Sequence, residues 1–266
     1  MITTDFVKGS PCWLDLGVPD TGAAAGFYRA VFGWELEAMG EDDEHQYGVF
    51  RSGGKVVGGL GRLTEEGARP AWIIYYRTDD VQATVAEAER MGGTVRMAPM
   101  DAEGEGWLAQ LSDPLGGQFA VWQPGSNEGI EVTDQPNSLC WTELYTTDAD
   151  GAKEFYGTLF GWQTQDMPLP AGGGVYSLIT PEGLSEERMQ GGLMEMPADA
   201  LPLTGGRPYW HPVFATDDCD GAVARVTEHG GSVQMGPEDA EGVGRLAVCS
   251  DPFGADFVLL QPPPQG

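Results

Sequence analysis

The sequence repeats itself, and this duplication limits the possible folds more than any other feature. Residues 10–34 align with residues 138–162 at an offset of 128, with 11 identities in 25 positions. Residues 78–124 align with residues 216–262 at an offset of 138, with 24 identities in 47 positions and no gap. A chain with two such similar halves is expected to fold into two similar structures.

The stretch between the repeats predicts the domain limits. Residues 125–137 are rich in Pro, Gly, Ser and Asn, as expected of a surface connection. We therefore predict domains at 1–124 and 138–266. The increase in offset means that ten residues are inserted in the second half, and the Pro- and Gly-rich ranges 167–174 or 197–208 are the predicted loops.

Each half is predicted to contain two modules of one strand, one helix and three further strands. In the first module, residues 12–18 alternate like a strand, Asp20 is a helix N-cap, and the helix 21–32 ends at Gly33. The second module repeats this order from residue 71 to residue 123. Because one helix cannot cover both faces of such a sheet, the modules must pair to enclose a core.

Composition excludes several classes of function. The 266 residues include 14 Lys and Arg but 41 Asp and Glu, a net charge of -27 that repels nucleic acids and anionic membranes. A neutral or cationic small ligand is favoured instead.

No apolar run approaches the ~20 residues of a membrane span, and the N-terminus lacks the apolar region of a signal peptide, so a cytoplasmic protein is expected. The cysteines lack metal-ligand spacing and are predicted to be reduced structural thiols: Cys12, Cys140, Cys219 and Cys249.

Six short motifs follow one another along nearly the whole chain. They are FYRAVFGW (27–34), TDDV (78–81), MGGTV (91–95), SDPLGG (112–117), FYGTLFGW (155–162) and SDPFGA (250–255). In this order they resemble the vicinal oxygen chelate superfamily of glyoxalases, bleomycin-resistance proteins and dioxygenases. Within it, the chain is similar to duplicated actinobacterial proteins, often labelled hydroxylases, that include a mycobacterial secreted antigen and proteins of anthracycline gene clusters. The resemblance implies an α+β fold in which four βαβββ modules pair into two glyoxalase-like domains with curved mixed sheets.

The resemblance also implies positions at which metal ligands would be expected. Metal-using members hold a divalent ion with a His or Glu on the first strand of a module and a Glu on the last strand. The matching first-strand positions here are Trp13, Ile73, Trp141 and His211, and the last-strand positions are Ala120 and Val258. Because only His211 is a ligand type, we predict no metal and no cofactor. A slip of one residue along a strand would bring three carboxylates into consideration: Asp15, Glu143 and Asp256.

Strand alternation then predicts the side chains that line each cavity. In the first half they are Trp13, Asp15, Tyr75, Arg77, Gln118 and Trp122. In the second half they are Trp141, Glu143, Tyr145, His211, Asp256 and Leu260. Such a lining suits a planar, partly apolar molecule, although Trp13 and Trp141 could equally fill a closed core. Asp15 is expected to pair with Arg77, and Glu143 with His211 is the candidate acid/base pair.

These residues predict metal-independent binding of a small aromatic or polyketide-like molecule, in antibiotic resistance, sequestration or accessory natural-product metabolism. The alternative is an enzyme of the superfamily: a lyase, isomerase, dioxygenase or cofactor-independent hydroxylase in which Glu143 and His211 manage protons. The expected partner is a small-molecule ligand, not a nucleic acid or a membrane, and the chain is a monomer or homodimer. The sequence leaves open the identity of the ligand and which half is active.

Overall fold

The computed structural model describes residues 1–39, 47–63, 67–169 and 173–263. The first half forms β1 (Pro11–Val18), α1 (Thr21–Phe32), β2 (Glu35–Ala38), β3 (Gly48–Ser52), β4 (Lys55–Arg62), β5 (Ala71–Arg77), α2 (Val81–Arg90), β6 (Thr94–Asp101), β7 (Gly106–Ser112) and β8 (Gln118–Pro124). The second half forms β9 (Leu139–Thr146), α3 (Ala149–Phe160), β10 (Gln163–Pro168), β11 (Val175–Thr180), β12 (Gly191–Glu195), β13 (Tyr209–Ala215), α4 (Cys219–Glu228), β14 (Ser232–Ala240), β15 (Gly244–Ser250) and β16 (Asp256–Gln261). The predicted order of strand, helix and three strands therefore occurs four times.

The strands form two open eight-stranded sheets with the same topology. Their orders are β2-β3-β4-β1-β5-β8-β7-β6 and β10-β11-β12-β9-β13-β16-β15-β14. The pairs β1–β4, β5–β8, β9–β12 and β13–β16 are parallel. The hairpins further out in each sheet are antiparallel. These mixed sheets confirm the predicted α+β class of paired modules.

The four helices begin in the same way, as the motifs predicted. An aspartate N-cap accepts a hydrogen bond from the backbone N–H three residues on, at 2.9 Å in each case: Asp20, Asp80, Asp148 and Asp218. The helices α1 and α3 end at Gly33 and Gly161, whose φ angles of 73° and 75° are left-handed and favour glycine. Local capping therefore fixes the ends of both Phe-Tyr helices.

The ten inserted residues lie in three places, which corrects part of the prediction. In the register of the two sheets, Gly192 of the second half corresponds to Gly59 of the first, an offset of 133 residues. The start of β13 corresponds to the start of β5 at an offset of 138 residues. Five inserted residues thus lie between β12 and β13, in agreement with the predicted loop at 197–208. Of the others, one lies between β10 and β11, and four lie between β11 and β12, at 181–190, a segment that the prediction did not include. That segment has fewer Gly and Pro than 167–174, so composition did not reveal it.

The chain divides into two compact units, each with its own aromatic core. One unit comprises Met1–Trp13, Ile74–Gly129 and Trp141–Trp210, and the other comprises Leu14–Ile73, Ile130–Cys140 and His211–Gly266. The first core contains Tyr76, Phe119, Phe155, Tyr156, Phe160, Trp162 and Trp210. The second contains Tyr28, Phe32, Trp34, Phe50, Trp72, Phe214 and Phe257. Because each half builds one complete sheet, we keep 1–124 and 138–266 as the proposed domains.

A buried polar chain runs through each aromatic core. In the first unit, Trp210 Nε1 donates to the Tyr156 hydroxyl at 2.9 Å, and that hydroxyl donates to Asp113 Oδ2 at 3.0 Å. The other oxygen of Asp113 accepts the backbone N–H groups of Leu115 and Gly117, which closes the Asp-Pro-x-Gly turn. The second unit repeats the chain with Trp72, Tyr28 and Asp251, at 2.9 and 3.3 Å. The Phe-Tyr and Asp-Pro-x-Gly motifs therefore recur because they bind each other.

The four cysteines are packed in the interior of the fold. They form no disulfide, and burial raises the pKa of the Cys12 and Cys140 thiols. Such thiols are poor nucleophiles. Among the residues that the structure describes, no helix is both long and apolar enough to cross a bilayer.

Candidate functional site

Strand β9 presents three large side chains on one face. Trp141, Glu143 and Tyr145 are each half-buried, whereas the alternating Thr142 and Leu144 are fully buried. This period of two is that of a strand with one face packed on a core. The partly accessible face of β9 therefore carries two aromatic rings and one carboxylate.

A tyrosine from β11 joins this face through a hydrogen-bond chain. Trp141 Nε1 donates to the Tyr176 hydroxyl at 2.8 Å, and that hydroxyl donates to Glu143 Oε1 at 2.8 Å. Between β9 and β11 lies β12, where Gly192 is the register partner of Glu143. A Cβ atom on Gly192 would overlap the ring and hydroxyl of Tyr176. Glycine at this position is what lets Tyr176 cross the strand to reach the carboxylate.

The surroundings of the Tyr176 hydroxyl keep it protonated, so that it acts as a hydrogen-bond donor. Burial, and after it the charge of Glu143, raises the pKa of the Tyr176 hydroxyl well above its usual range. Nearby, the rings of Tyr145 and Tyr209 meet edge to face with centroids 5.6 Å apart. We call Trp141, Glu143, Tyr145, Tyr176 and Tyr209 the Glu143 cluster. It offers a planar molecule half-buried aromatic faces beside a carboxylate that can accept a hydrogen bond or a positive charge.

His211 belongs to a second polar group, in the other compact unit. Its ring is fully buried, and Nδ1 lies 3.2 Å from Asp256 Oδ2. Arg69 donates to Asp256 Oδ1 at 2.9 Å and to the carbonyl of Gly254 at 3.0 Å. Burial alone would raise the pKa of Asp256, but the hydrogen bonds and charges of His211 and Arg69 outweigh it and lower that pKa. Asp256 is thus a buried carboxylate held in its charged form.

The predicted pairing of Glu143 with His211 is therefore replaced by two separate contacts. Glu143 accepts from Tyr176, and His211 faces Asp256. Alternation predicts which side chains share a strand face, but it carries no information on which strand neighbour each one meets. Arg69 was missed altogether, although Arg-Pro occurs at the same place in both halves, at 69–70 and 207–208.

Arg77 also has partners other than the predicted one. Its guanidinium donates to the carbonyl of Phe6 at 2.8 Å and lies 3.5 Å from Glu128 and 4.0 Å from Asp79. Among the described residues, these contacts take the place of the ion pair expected with Asp15, which instead accepts from the Tyr47 hydroxyl at 2.8 Å. Arg77 thus holds the N-terminal segment against β5.

The remaining predicted residues divide by burial. Trp13, Tyr75 and Trp122 are buried, with 8%, 3% and 7% of their surface exposed. Trp122 Nε1 donates to the carbonyl of Asn127 at 3.0 Å, a structural contact. Gln118 and Leu260 are half-buried, and the Gln118 amide oxygen accepts from Arg96 at 2.8 Å.

Comparison with known proteins identifies the family. Residues 138–259 match the family model of the glyoxalase/bleomycin resistance protein/dioxygenase superfamily, and residues 13–122 match that of a glyoxalase-like domain. The chain belongs to this superfamily.

Two relatives match over nearly their full length. The chain is 36% identical to the anthracycline biosynthesis protein DnrV of Streptomyces peucetius, over 97% of this chain and 95% of that protein. It is 33% identical to CFP32 of Mycobacterium tuberculosis, which carries the name of a glyoxylase, over 98% of each chain.

Solved structures of lower identity share the fold. The 2,3-dioxygenase LapB from Pseudomonas sp. KL28 is 15% identical with a TM-score of 0.65, over 97% of this chain and 96% of that one. The Mn(II)-bound glyoxalase from Novosphingobium aromaticivorans is 20% identical with a TM-score of 0.62, over 96% and 83%.

The side chains do not fit the divalent metal site that this superfamily implies. The register places Ala120 opposite Tyr75 and Val258 opposite Val213. The same strand relation in the other two modules gives Gly59 and Gly192. Of the eight first- and last-strand positions, only His211 is thus a ligand type. No group of three or more His, Cys, Asp or Glu in the described part of the chain could hold a metal ion.

Proposed function

We propose that this protein binds a planar aromatic, polyketide-like small molecule at the Glu143 cluster, without the metal chelation that other superfamily members use. Its role would lie in antibiotic resistance, sequestration or accessory natural-product metabolism. The observation that carries the proposal is the chain from Trp141 through Tyr176 to Glu143, set among half-buried aromatic rings. Aromatic walls with a few oriented polar groups are typical of small-molecule sites.

The carboxylate indicates which ligands the cluster prefers. Tyr176 and Trp141 orient Glu143, so the direction of its acceptor oxygens is set before a ligand arrives. A protonated amine or a phenolic hydroxyl on a planar ring system is complementary to such an acceptor. The net charge of -27 favours the cationic ligand further. The name of the relative DnrV, in anthracycline biosynthesis, supports an aromatic polyketide as the ligand class.

Two probes test the proposal: 9-aminoacridine, a planar aromatic cation, and 1,4-dihydroxyanthraquinone, a neutral planar phenol. Isothermal titration calorimetry of the full chain should detect binding of both. Glu143→Gln should weaken binding of the cation about tenfold or more, because a charge-assisted hydrogen bond contributes roughly 1.5–3 kcal/mol. Trp141→Ala should weaken binding of both probes, because it removes an aromatic face and the indole N–H that donates to the Tyr176 hydroxyl.

The matched control is Glu154→Gln, which removes the same charge from an exposed position of α3 in the same unit. It should leave both affinities within about twofold of the parent. Dialysis against EDTA should also leave them unchanged. If neither probe binds, or if Glu143→Gln and Glu154→Gln have equal effects, the assignment of the cluster as the ligand site is refuted.

The second candidate is catalysis, which one feature of the same cluster favours. Glu143 is a partly exposed carboxylate that accepts from a tyrosine, an arrangement that can move a proton at a bound substrate. Conversion would be seen as a change in the mass of a polyketide probe during incubation. Loss of conversion with EDTA would indicate a metal-using enzyme. Conversion that persists with EDTA but disappears in Glu143→Gln or His211→Ala would indicate a cofactor-independent one.

A further inference from the structure

A second carboxylate–tyrosine pair occurs in the first half of the chain. The Tyr47 hydroxyl donates to Asp15 Oδ1 at 2.8 Å, the same distance as from Tyr176 to Glu143. Both Asp15 and Tyr47 are half-buried, so each keeps an accessible surface. The bond joins residues 32 positions apart in the sequence, and its counterpart joins residues 33 apart.

The two pairs have the same position in the two sheets. Asp15 and Glu143 stand 128 residues apart, the offset of the first repeat, so they are the same residue of the duplicated strand. Each lies opposite a glycine on the neighbouring parallel strand, Gly59 for Asp15 and Gly192 for Glu143. Duplication therefore preserved the carboxylate, the tyrosine and the glycine together, although the carboxylate is Asp in one half and Glu in the other.

The glycine is required by the same close approach in both places. A Cβ atom on Gly59 would overlap the Asp15 carboxylate and the Tyr47 hydroxyl. A Cβ atom on Gly192 would overlap the Tyr176 ring and hydroxyl. Neither position has a left-handed φ angle, so backbone conformation does not explain the glycine. What both glycines provide is room for a polar pair on the surface of the sheet.

We infer that the first half holds a second ligand site of the same construction at Asp15 and Tyr47, so that one chain binds two molecules. The inference rests on the proposed function of the Glu143 cluster and adds its stoichiometry. The ligand class is again a planar aromatic molecule that carries a hydrogen-bond donor, with a protonated amine preferred.

The two sites should differ in selectivity. In the first, the shorter carboxylate lies directly over Gly59, whereas in the second the Tyr176 ring lies over Gly192. The residue of the first repeat that corresponds to half-buried Tyr145 is Gly17, which carries no ring. The first site thus offers its carboxylate with less aromatic surface. It should bind a cation and discriminate against a neutral ring system.

Native mass spectrometry and calorimetry with 9-aminoacridine test the inference. The parent chain should bind two molecules, and Asp15→Asn and Glu143→Gln should each bind one. The double variant should bind none. The neutral 1,4-dihydroxyanthraquinone should bind once per chain, with an affinity that Asp15→Asn leaves unchanged.

Two further variants keep the test interpretable. Asp217→Asn removes an equal charge from an exposed position of the same unit and should retain both molecules. Gly59→Ala should displace the polar pair and leave one molecule bound, and circular dichroism reports whether each variant stays folded. If Gly59→Ala unfolds, the number of molecules bound to Asp15→Asn still decides whether the second site exists.

The outcomes separate the two proposals. A single cation per parent chain, lost in Glu143→Gln and kept in Asp15→Asn, overturns the second site and leaves the proposed function standing. Two cations that both persist in Asp15→Asn also overturn it. No binding of either probe overturns the proposed function, and the second site with it.

Discussion

The buried Tyr156 hydroxyl should contribute strongly to stability, because it is the central link of the chain from Trp210 to Asp113. Tyr156→Phe keeps the ring and removes only the oxygen. The Trp210 indole N–H then loses its acceptor and Asp113 Oδ2 loses its donor. Tyr156 is 1% exposed, so solvent cannot easily replace the lost partner.

The size of the effect follows from these two lost contacts. A buried polar group left without a partner costs about 1–3 kcal/mol, and a hydrogen bond to a charged group contributes about 1.5–3 kcal/mol. Removing the hydroxyl also removes its own desolvation cost, which offsets part of the loss. We expect Tyr156→Phe to lower the free energy of unfolding by roughly 2–4 kcal/mol.

Tyr76 provides a matched control in the same core. It is fully buried and belongs to the same unit. Thr142 lies close enough to influence the pKa of Tyr76, yet the Tyr76 hydroxyl meets hydrogen-bond geometry with no group in the described ranges. Tyr76→Phe should therefore leave the free energy of unfolding within about 0.5 kcal/mol of the parent or raise it.

Urea denaturation monitored by tryptophan fluorescence and circular dichroism measures both variants. The m-values should match that of the parent, so that the shift in midpoint reports stability alone. If Tyr156→Phe and Tyr76→Phe destabilise equally, the hydrogen-bond chain does not contribute as argued. If Tyr156→Phe is neutral, the interpretation of the paired Phe-Tyr and Asp-Pro-x-Gly motifs is refuted.

The stability of the protein should depend on pH, and its association with a cationic ligand should depend on salt. Burial raises the pKa of Asp113 and Asp251 in the folded state. Their contribution to stability should therefore fall as pH rises from the ordinary aspartate pKa through the raised value, since the unfolded chain releases these protons first. Asp113→Asn should show a smaller decline in urea midpoint over that window than the parent, and an unchanged decline would contradict the assignment. The association rate of 9-aminoacridine should fall as NaCl is raised from about 0.05 to 0.5 M, because the attraction of the -27 chain is screened. A rate independent of salt in stopped-flow fluorescence would show that net charge does not steer the ligand.

The sequence predicted the parts of the fold that depend on local or repeated signals. The aspartate caps, the glycine stop of α1 and the fourfold order of elements follow from short patterns, and the structure confirms them. The contact between Tyr156 and Asp113 could not be predicted in the same way. These residues lie 43 positions apart, one in each half, and neither motif contains a signal for contact with the other.

The candidate site was only partly predictable, for a related reason. Trp141, Glu143 and Tyr145 follow from alternation along one strand, and all three are half-buried as a lining requires. Tyr176 and Tyr47 were missed because they lie outside both aligned blocks, where the offset changes from 128 to 138. Their role depends on a hydroxyl that crosses an intervening strand, and only the register of three strands reveals it.

The register places a glycine beside a carboxylate in both modules one and three. In modules one and three, the last-strand position that holds a metal-binding Glu in other members is Gly59 or Gly192. The space over each glycine is occupied by neighbouring side chains: Asp15 and Tyr47 lie over Gly59, and Tyr176, which donates to Glu143, lies over Gly192. A carboxylate that accepts a hydrogen bond from a tyrosine hydroxyl, with 2.8 Å between the two oxygens, can accept a second donor from a ligand. Among the residues that the structure describes, no group of three or more His, Cys, Asp or Glu could hold a divalent ion. We therefore expect specificity in this protein to follow the donors and aromatic surface of the ligand, and not its ability to chelate through two vicinal oxygens.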